Sequence, residues 1–277
     1  MSKSLSYYIF SIFFLFSCAS TQEKEASGDR NKTNLTSTVD AVDTMQVLEN
    51  DITALDSNLC GLNFYPDKNY NKSKTKIANN RLILKERYLS TVDTTVKEVF
   101  LDSVMRIFSD QLLNEIIPYW YGTSWDFNGY TAVPNSGKIA CGYFVSTTLR
   151  DMGLNLNRYK LAQQNPENEA KSIAIDAENL VSIDIDFDYT GDTIHKIIQE
   201  FDQGLYFVGL GNHVGFLLIN NGNSFFIHSN YIDGMVMTEN SKFSDAFLSQ
   251  KYYFSRITDN KALALKWLMN EELYIFQ

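Results

Sequence analysis

The chain predicts an α+β fold, on three observations: an amphipathic helix over about 93–117, a second helix opening at Cys141, and a run of short apolar strands from about 205 to 257. In the first helix Val96, Val99, Phe100, Val104, Ile107, Phe108, Leu112 and Ile116 recur at three- and four-residue steps, and Pro118 marks its end. The aromatic segment Tyr119-Trp120-Tyr121-Gly122-Thr123 follows as a strand or turn, then a glycine-containing loop to Gly137. The second helix carries Phe144, Val145, Thr148, Leu149 and Met152 and closes at Gly153. Residues 157–188 read as a polar insertion with one short helix, and a further helix covers about 192–201. Strands are expected over 205–210, 213–219 and 224–229, the last two joined as a hairpin by Asn220-Asn221-Gly222-Asn223. A strand at 252–257 and a helix over 260–273 complete the chain.

At 277 residues, with 44% hydrophobic and 14% aromatic content, the chain has enough apolar material for one sizeable core. A net charge of −9 and the lack of a basic, aromatic-interleaved stripe exclude a nucleic-acid partner. The N-terminus is specific. Lys3 precedes an apolar run from Tyr8 to Phe16, too short for a comfortable membrane span, which reads as an export signal over 1–17. Leu15, Ser17 and Cys18 resemble a bacterial lipobox, so Cys18 is expected to carry lipid and to anchor the chain to a membrane of the bacterial cell envelope, on its periplasmic or surface face. Residues 18–76 are expected to form a mostly disordered tether, irregular through Pro66, with the folded body at 77–277.

Chemistry centres on Cys141, which follows a small-residue turn and so falls in the first turn of a helix. There the exposed amides and the helix dipole favour a thiolate. His213 and His228 fall on consecutive strands, able to point to one side of a sheet. A thiolate, an imidazole base and a group to orient the base are the parts of a cysteine hydrolase. Asn230 shares a strand face with His228 and is an alternative orienting group. Bland readings stand beside these: a lone cysteine is often a small core residue, and strand histidines are often structural. A Cys60–Cys141 disulfide is a further alternative in an exported chain. His195 reads as a solvated residue on a helix surface. The carboxylates Asp184, Asp186, Asp188 and Asp192 could ligate calcium but lack the glycine and distal glutamate of a helix-loop-helix site, and a solvated acidic segment is favoured. The sequence contains no His/Cys metal spacing, phosphate-cradling loop or dinucleotide fingerprint, so no metal and no cofactor are expected.

Four segments in order resemble the NlpC-like cysteine peptidases, papain-like hydrolases of bacterial cell-wall peptides. They are Pro118-Tyr119-Trp120-Tyr121-Gly122-Thr123, Ala140-Cys141-Gly142-Tyr143-Phe144-Val145, His213-Val214-Gly215-Phe216 and His228. The resemblance covers about 116–230. It implies a papain-like, NlpC-type fold with the nucleophile helix packed on an antiparallel sheet. Cys141 would then be the nucleophile, His213 the base and His228 its orienting partner, while Tyr119 would lie beside the sulfur and help hold the oxyanion. The expected substrate is a peptidoglycan stem peptide or related small peptide. Members carry Asp and Ser around the cysteine to recognise the substrate's amino end, and Ala140 and Gly142 stand there instead. Substrate contacts are therefore expected from the Gly142 position, Asp126 and Asn230, or the substrate differs. A non-catalytic peptide- or peptidoglycan-binding relative and an acyltransferase using the same cysteine are the alternatives.

Overall fold

The computed structural model describes Pro66 and residues 69–277 other than 187. The export signal, Cys18 and Cys60 lie outside the described residues. Among the described residues there are seven α-helices and eight strands. The helices are α1 (Tyr70–Ser90), α2 (Thr94–Gln111), α3 (Cys141–Asp151), α4 (Arg158–Ala162), α5 (Pro166–Ala174), α6 (Asp192–Ile198) and α7 (Lys261–Met269). The strands are β1 (Ser124–Trp125), β2 (Lys138–Ile139), β3 (Leu180–Asp184), β4 (Gly204–Gly209), β5 (Val214–Asn220), β6 (Asn223–Asn230), β7 (Met235–Asn240) and β8 (Lys251–Arg256). They form one sheet in the order β2-β1-β7-β6-β5-β4-β8-β3, antiparallel at every pairing except β1–β2. The α+β class is thus observed.

Helix α1 departs from expectation, since the chain is already helical from Tyr70, ahead of the start expected near Ile77. Its polar sequence hides the helix because only Ser73, Ile77 and Leu84 are buried, a narrow stripe at about every second turn. Asn69 starts it by accepting from the Lys72 amide. Asp93 caps α2 in the same way, accepting from the Thr95 and Val96 amides at 2.8 and 3.0 Å. Helix α2 continues through a π turn (Leu112–Ile116) and a 3-10 turn (Ile117–Trp120) with Pro118 in its first turn, so the aromatic segment after it is a turn. The 157–188 segment holds two helices, α4 and α5, and an edge strand, β3.

The centre of the sheet is covered on both faces. Val214, Phe216, Leu218 and Ile227 face α2, α3 and α7 in the larger core, while Leu217, Ile219 and Phe226 face Ile194, Ile198 and Phe247 in the smaller one. That double burial explains why β4 and β5 read as near-continuous apolar runs. The β5–β6 hairpin turns on Asn221 and Gly222, with φ of +49° and +74°, the left-handed pair a two-residue turn requires.

The hairpin register, Phe216 opposite Ile227, sets Gly215 opposite His228. A Cβ on Gly215 would stand 2.6 Å from Phe226 Cε2, 2.8 Å from the Ile227 oxygen and 2.9 Å from His228 Cβ. Gly215 therefore makes room for the Phe226 ring, which stacks on His228, and for the His228 Cβ. Gly215→Ala should destabilise the fold by about 1–3 kcal/mol and disturb the His228 ring resonances, readable by thermal melting and imidazole NMR. A melting temperature and spectrum like wild type would refute this reading of the glycine.

Candidate active site

Cys141 is the first residue of α3, and Ala140 before it has extended backbone and no capping side chain. Its run-in is pinned to the sheet: the Ala140 amide donates to the Gly129 oxygen at 2.8 Å, and Ser229 Oγ donates to the Ile139 oxygen at 2.8 Å. Ser229 thus grips the nucleophile's approach from one face of β6, while His228 and Asn230 project from the other. Arg158, 3% exposed, ties the same region together. It donates to Thr147 Oγ1 at 2.8 Å, to the Thr131 oxygen at 3.2 Å and to the Tyr130 oxygen.

Three backbone amides, those of Val214, Gly142 and Cys141 itself, point at the Cys141 sulfur and favour its thiolate. Burial outweighs them, and with the Glu169 carboxyl it pushes the thiol up to about 11. The depressed thiol expected from the helix start is therefore overturned: the dipole is present, but the site is half-buried and lies beside an acidic side chain. Among the described residues Cys141 is a free cysteine.

The imidazoles meet directly. His213 Nε2 lies 2.7 Å from His228 Nδ1, and His228 Nε2 lies 2.8 Å from Glu239 Oε1. Burial and then the neighbouring His228 push His213 down to about 3; burial also lowers His228, against the pull of Glu239. Burial raises Glu239, but its hydrogen bonds from His228 and Ser244 outweigh that and keep it a carboxylate. These charge states determine the tautomers. A carboxylate only accepts, so His228 Nε2 carries the proton and its Nδ1 is an acceptor. His213 Nε2–H must then donate to it, and His213 Nδ1 is left with a bare lone pair. The rings are caged: Phe226 stacks on His228 at 3.9 Å, and Tyr231 meets His213 edge-on at 5.2 Å. His213 immediately precedes Val214, whose amide points at the Cys141 sulfur, but among the described residues the His213 ring bonds to His228 and makes no hydrogen bond to that sulfur.

Glu239 does not stand out in the sequence, because β7 (Met235–Asn240) carries little strand signal. Its signal is faint: a three-residue apolar run, Met235-Val236-Met237, after the Asp233-Gly234 turn. The Glu239 oxygen that accepts from His228 also accepts from Ser244 Oγ at 2.6 Å and Asn230 Nδ2 at 3.4 Å. Asn230 also donates to Asp233 Oδ2 at 2.7 Å, and its oxygen caps the Ile232 and Asp233 amides. It supports Glu239 and the β6–β7 turn, while His228 holds His213.

Other expected residues are placed elsewhere. The Tyr119 hydroxyl pairs with Ser73 Oγ at 3.1 Å and its ring packs on Tyr70, so it is committed to α1 and the oxyanion role does not carry over to it. Asp126 caps the Asn128 amide and pairs with Lys138 at 3.0 Å, which makes it a loop-fixing residue. At Gly142 a Cβ would meet the Ala162 oxygen at 2.8 Å and Glu169 Oε1 at 3.1 Å, so that position is a packing contact with α4 and α5. Glu169 is 2% exposed and its Oε2 is buried with no hydrogen-bond partner among the described residues. Burial alone raises its pKa well above the ordinary carboxyl value.

His195, expected in solvent, is 8% exposed. Asp188 accepts from the backbone and hydroxyls of Thr190 and Thr193, which hold its pKa below the usual range and make it a helix-capping group. Among the described residues no cluster of His, Cys, Asp and Glu could hold a metal.

No protein-family model, curated protein or solved structure matches this chain.

Proposed function

We propose that the chain is a cysteine hydrolase, an amidase or endopeptidase of the NlpC-like, papain-like kind, acting on cell-wall peptides or related small peptides. The observation that carries this reading is the oriented chain Glu239–His228–His213. It leaves a bare Nδ1 lone pair on the residue preceding Val214, whose amide contacts the Cys141 sulfur. His213 Nδ1 takes the thiol proton as sulfur attacks the amide carbonyl carbon. The Cys141 and Gly142 amides, at the positive end of α3, stabilise the oxyanion. Protonated His213 then gives its proton to the leaving amine, and water attacks the resulting thioester to release the acid and restore the thiol. His228 and Glu239 act by holding His213 in the correct tautomer. Thiol and imidazole both rest neutral, so proton transfer accompanies attack. The export-signal-like run and Cys18 support a lipid anchor in the bacterial cell envelope, facing the periplasm or surface; among the described residues no helix is long and apolar enough to cross a membrane.

Cys141→Ser and His213→Ala should each abolish amine release from peptidoglycan fragments, a loss of at least about 10³-fold, with melting temperatures near wild type. If both variants keep activity on every fragment that wild type cuts, the assignment is wrong. A second reading, a peptide-binding relative without turnover, is favoured by the thiol held near 11 and by the apolar Ala140 beside it. It requires wall fragments to bind wild type and be recovered intact by mass spectrometry.

A further inference from the structure

A second arrangement of imidazole and hydroxyls lies on the same sheet face, and it shares no residue with the Cys141 site. Ser224, Phe226 and His228 alternate along β6 and point to one side, so Ser224 lies roughly 13 Å along the strand from His228. His195 Nδ1 is 2.7 Å from the Gly191 oxygen, its Nε2 is 3.1 Å from Ser241 Oγ, and Ser241 Oγ is 2.5 Å from Ser224 Oγ. A carbonyl oxygen only accepts, so Nδ1 carries a proton, and in the ring that holds that proton alone Nε2 is an acceptor. Ser241 must donate to it. Ser241 is fully buried, so no water supplies an alternative, and Ser224 must in turn donate to Ser241. The Ser224 proton is therefore spent, and its oxygen offers only lone pairs to anything that approaches.

Ser224 and His195 line a cavity of about 300 Å³. Its wall adds the side chains of Gln199, Gln203 and Lys242, and Phe201 and Ile219 supply apolar surface. Gln203 Oε1 already accepts from the Asn221 amide at 3.3 Å, which turns its amide group outward as a donor. The cavity thus presents an obligate acceptor, several donors and an apolar wall. A carboxylate or phosphate has no proton for Ser224, and an ammonium ion would face the Lys242 charge. A polyol satisfies all three features, because each hydroxyl both donates and accepts and its C–H face packs on apolar surface. The volume is at the small end of the roughly 300–1,000 Å³ of small-molecule sites, which suits one ring. We propose that this cavity is a binding site for a single sugar ring, held by a hydroxyl donating to Ser224 Oγ. The proposal does not depend on the cysteine site being catalytic.

The test is saturation-transfer NMR on the wild-type protein with glucose, N-acetylglucosamine and glucuronate, and with acetate and ethylammonium as ligands lacking one of the required features. At least one sugar should bind with millimolar affinity, and Ser224→Ala should weaken it at least about fivefold. Gln199→Ala, at the exposed residue that follows α6 and leaves the fold intact, should weaken it as well, while Cys141→Ala leaves it unchanged. The proposal is overturned if no sugar gives a signal, if both pocket variants bind like wild type, or if acetate or ethylammonium binds better than every sugar.

Discussion

Replacing Glu239 with alanine should lower kcat on a cell-wall peptide by about 10²–10⁴-fold, in the range found when a triad's orienting carboxylate is disabled. Without that carboxylate His228 is free to carry its proton on Nδ1 and turn the donor end of the chain toward His213. The His213 Nε2 then becomes the acceptor, and its Nδ1 gains the proton that blocks thiol deprotonation. Glu239→Gln discriminates charge from orientation. The contacts from His228, Ser244 and Asn230 all converge on Oε1, so a glutamine oxygen in that place accepts all three and preserves the tautomer. It should retain most of the activity lost by Glu239→Ala. The kcat values and the imidazole nitrogen shifts of both variants check this. Equal losses in the two would show that the carboxylate's charge, rather than its direction, sustains the site.

Glu169→Gln should stabilise the protein at neutral pH and make Cys141 more reactive. Burial raises the folded-state pKa of Glu169 above its ordinary value of 4.5. The sign follows from linkage: the unfolded chain ionises this carboxyl near pH 4.5, whereas the folded chain holds it neutral until a higher pH. Its contribution to stability is fully present below pH 4.5 and is lost as pH rises through the folded pKa. Each tenfold bias toward the neutral form costs about 1.4 kcal/mol at neutral pH, which is about 2–4 °C of melting temperature for a domain of this size. The glutamine variant should therefore melt higher than wild type at pH 7, with the gap closing toward pH 4. Removing the carboxylate should also lower the Cys141 pKa from about 11, since Glu169 is the second cause of its elevation. Iodoacetamide alkylation of wild type should keep rising through pH 9–10 without a plateau, and the variant's curve should move to lower pH. A stability gap independent of pH, or an unmoved alkylation curve, would remove Glu169 from this role.

Much of the fold and some of the site are legible in the sequence. The helix starting at Cys141, the turn at Asn221-Gly222 and the strands bearing His213 and His228 follow from local rules of periodicity, capping and turn chemistry. Helix α1 was not readable, because a long polar helix with a three-residue buried stripe lacks a wide apolar face. Glu239 is hidden for a related reason: β7 is half-buried and its outward residues are polar. The burial of His195 is not legible either, because it lies on a short helix whose buried side is set by the distant Phe247 that covers it.

By itself the sequence determined the order of elements, the helix-start position of Cys141 and the approach of two histidines on paired strands, because each depends on residues close along the chain. Only the tertiary structure decided the charge states. Burial beside Glu169 reverses the effect of the helix dipole on Cys141, and the distant Glu239 sets which nitrogen of His213 is bare. Desolvation and long-range hydrogen bonds depend on what the folded chain brings together in space, and spacing along the sequence does not encode them.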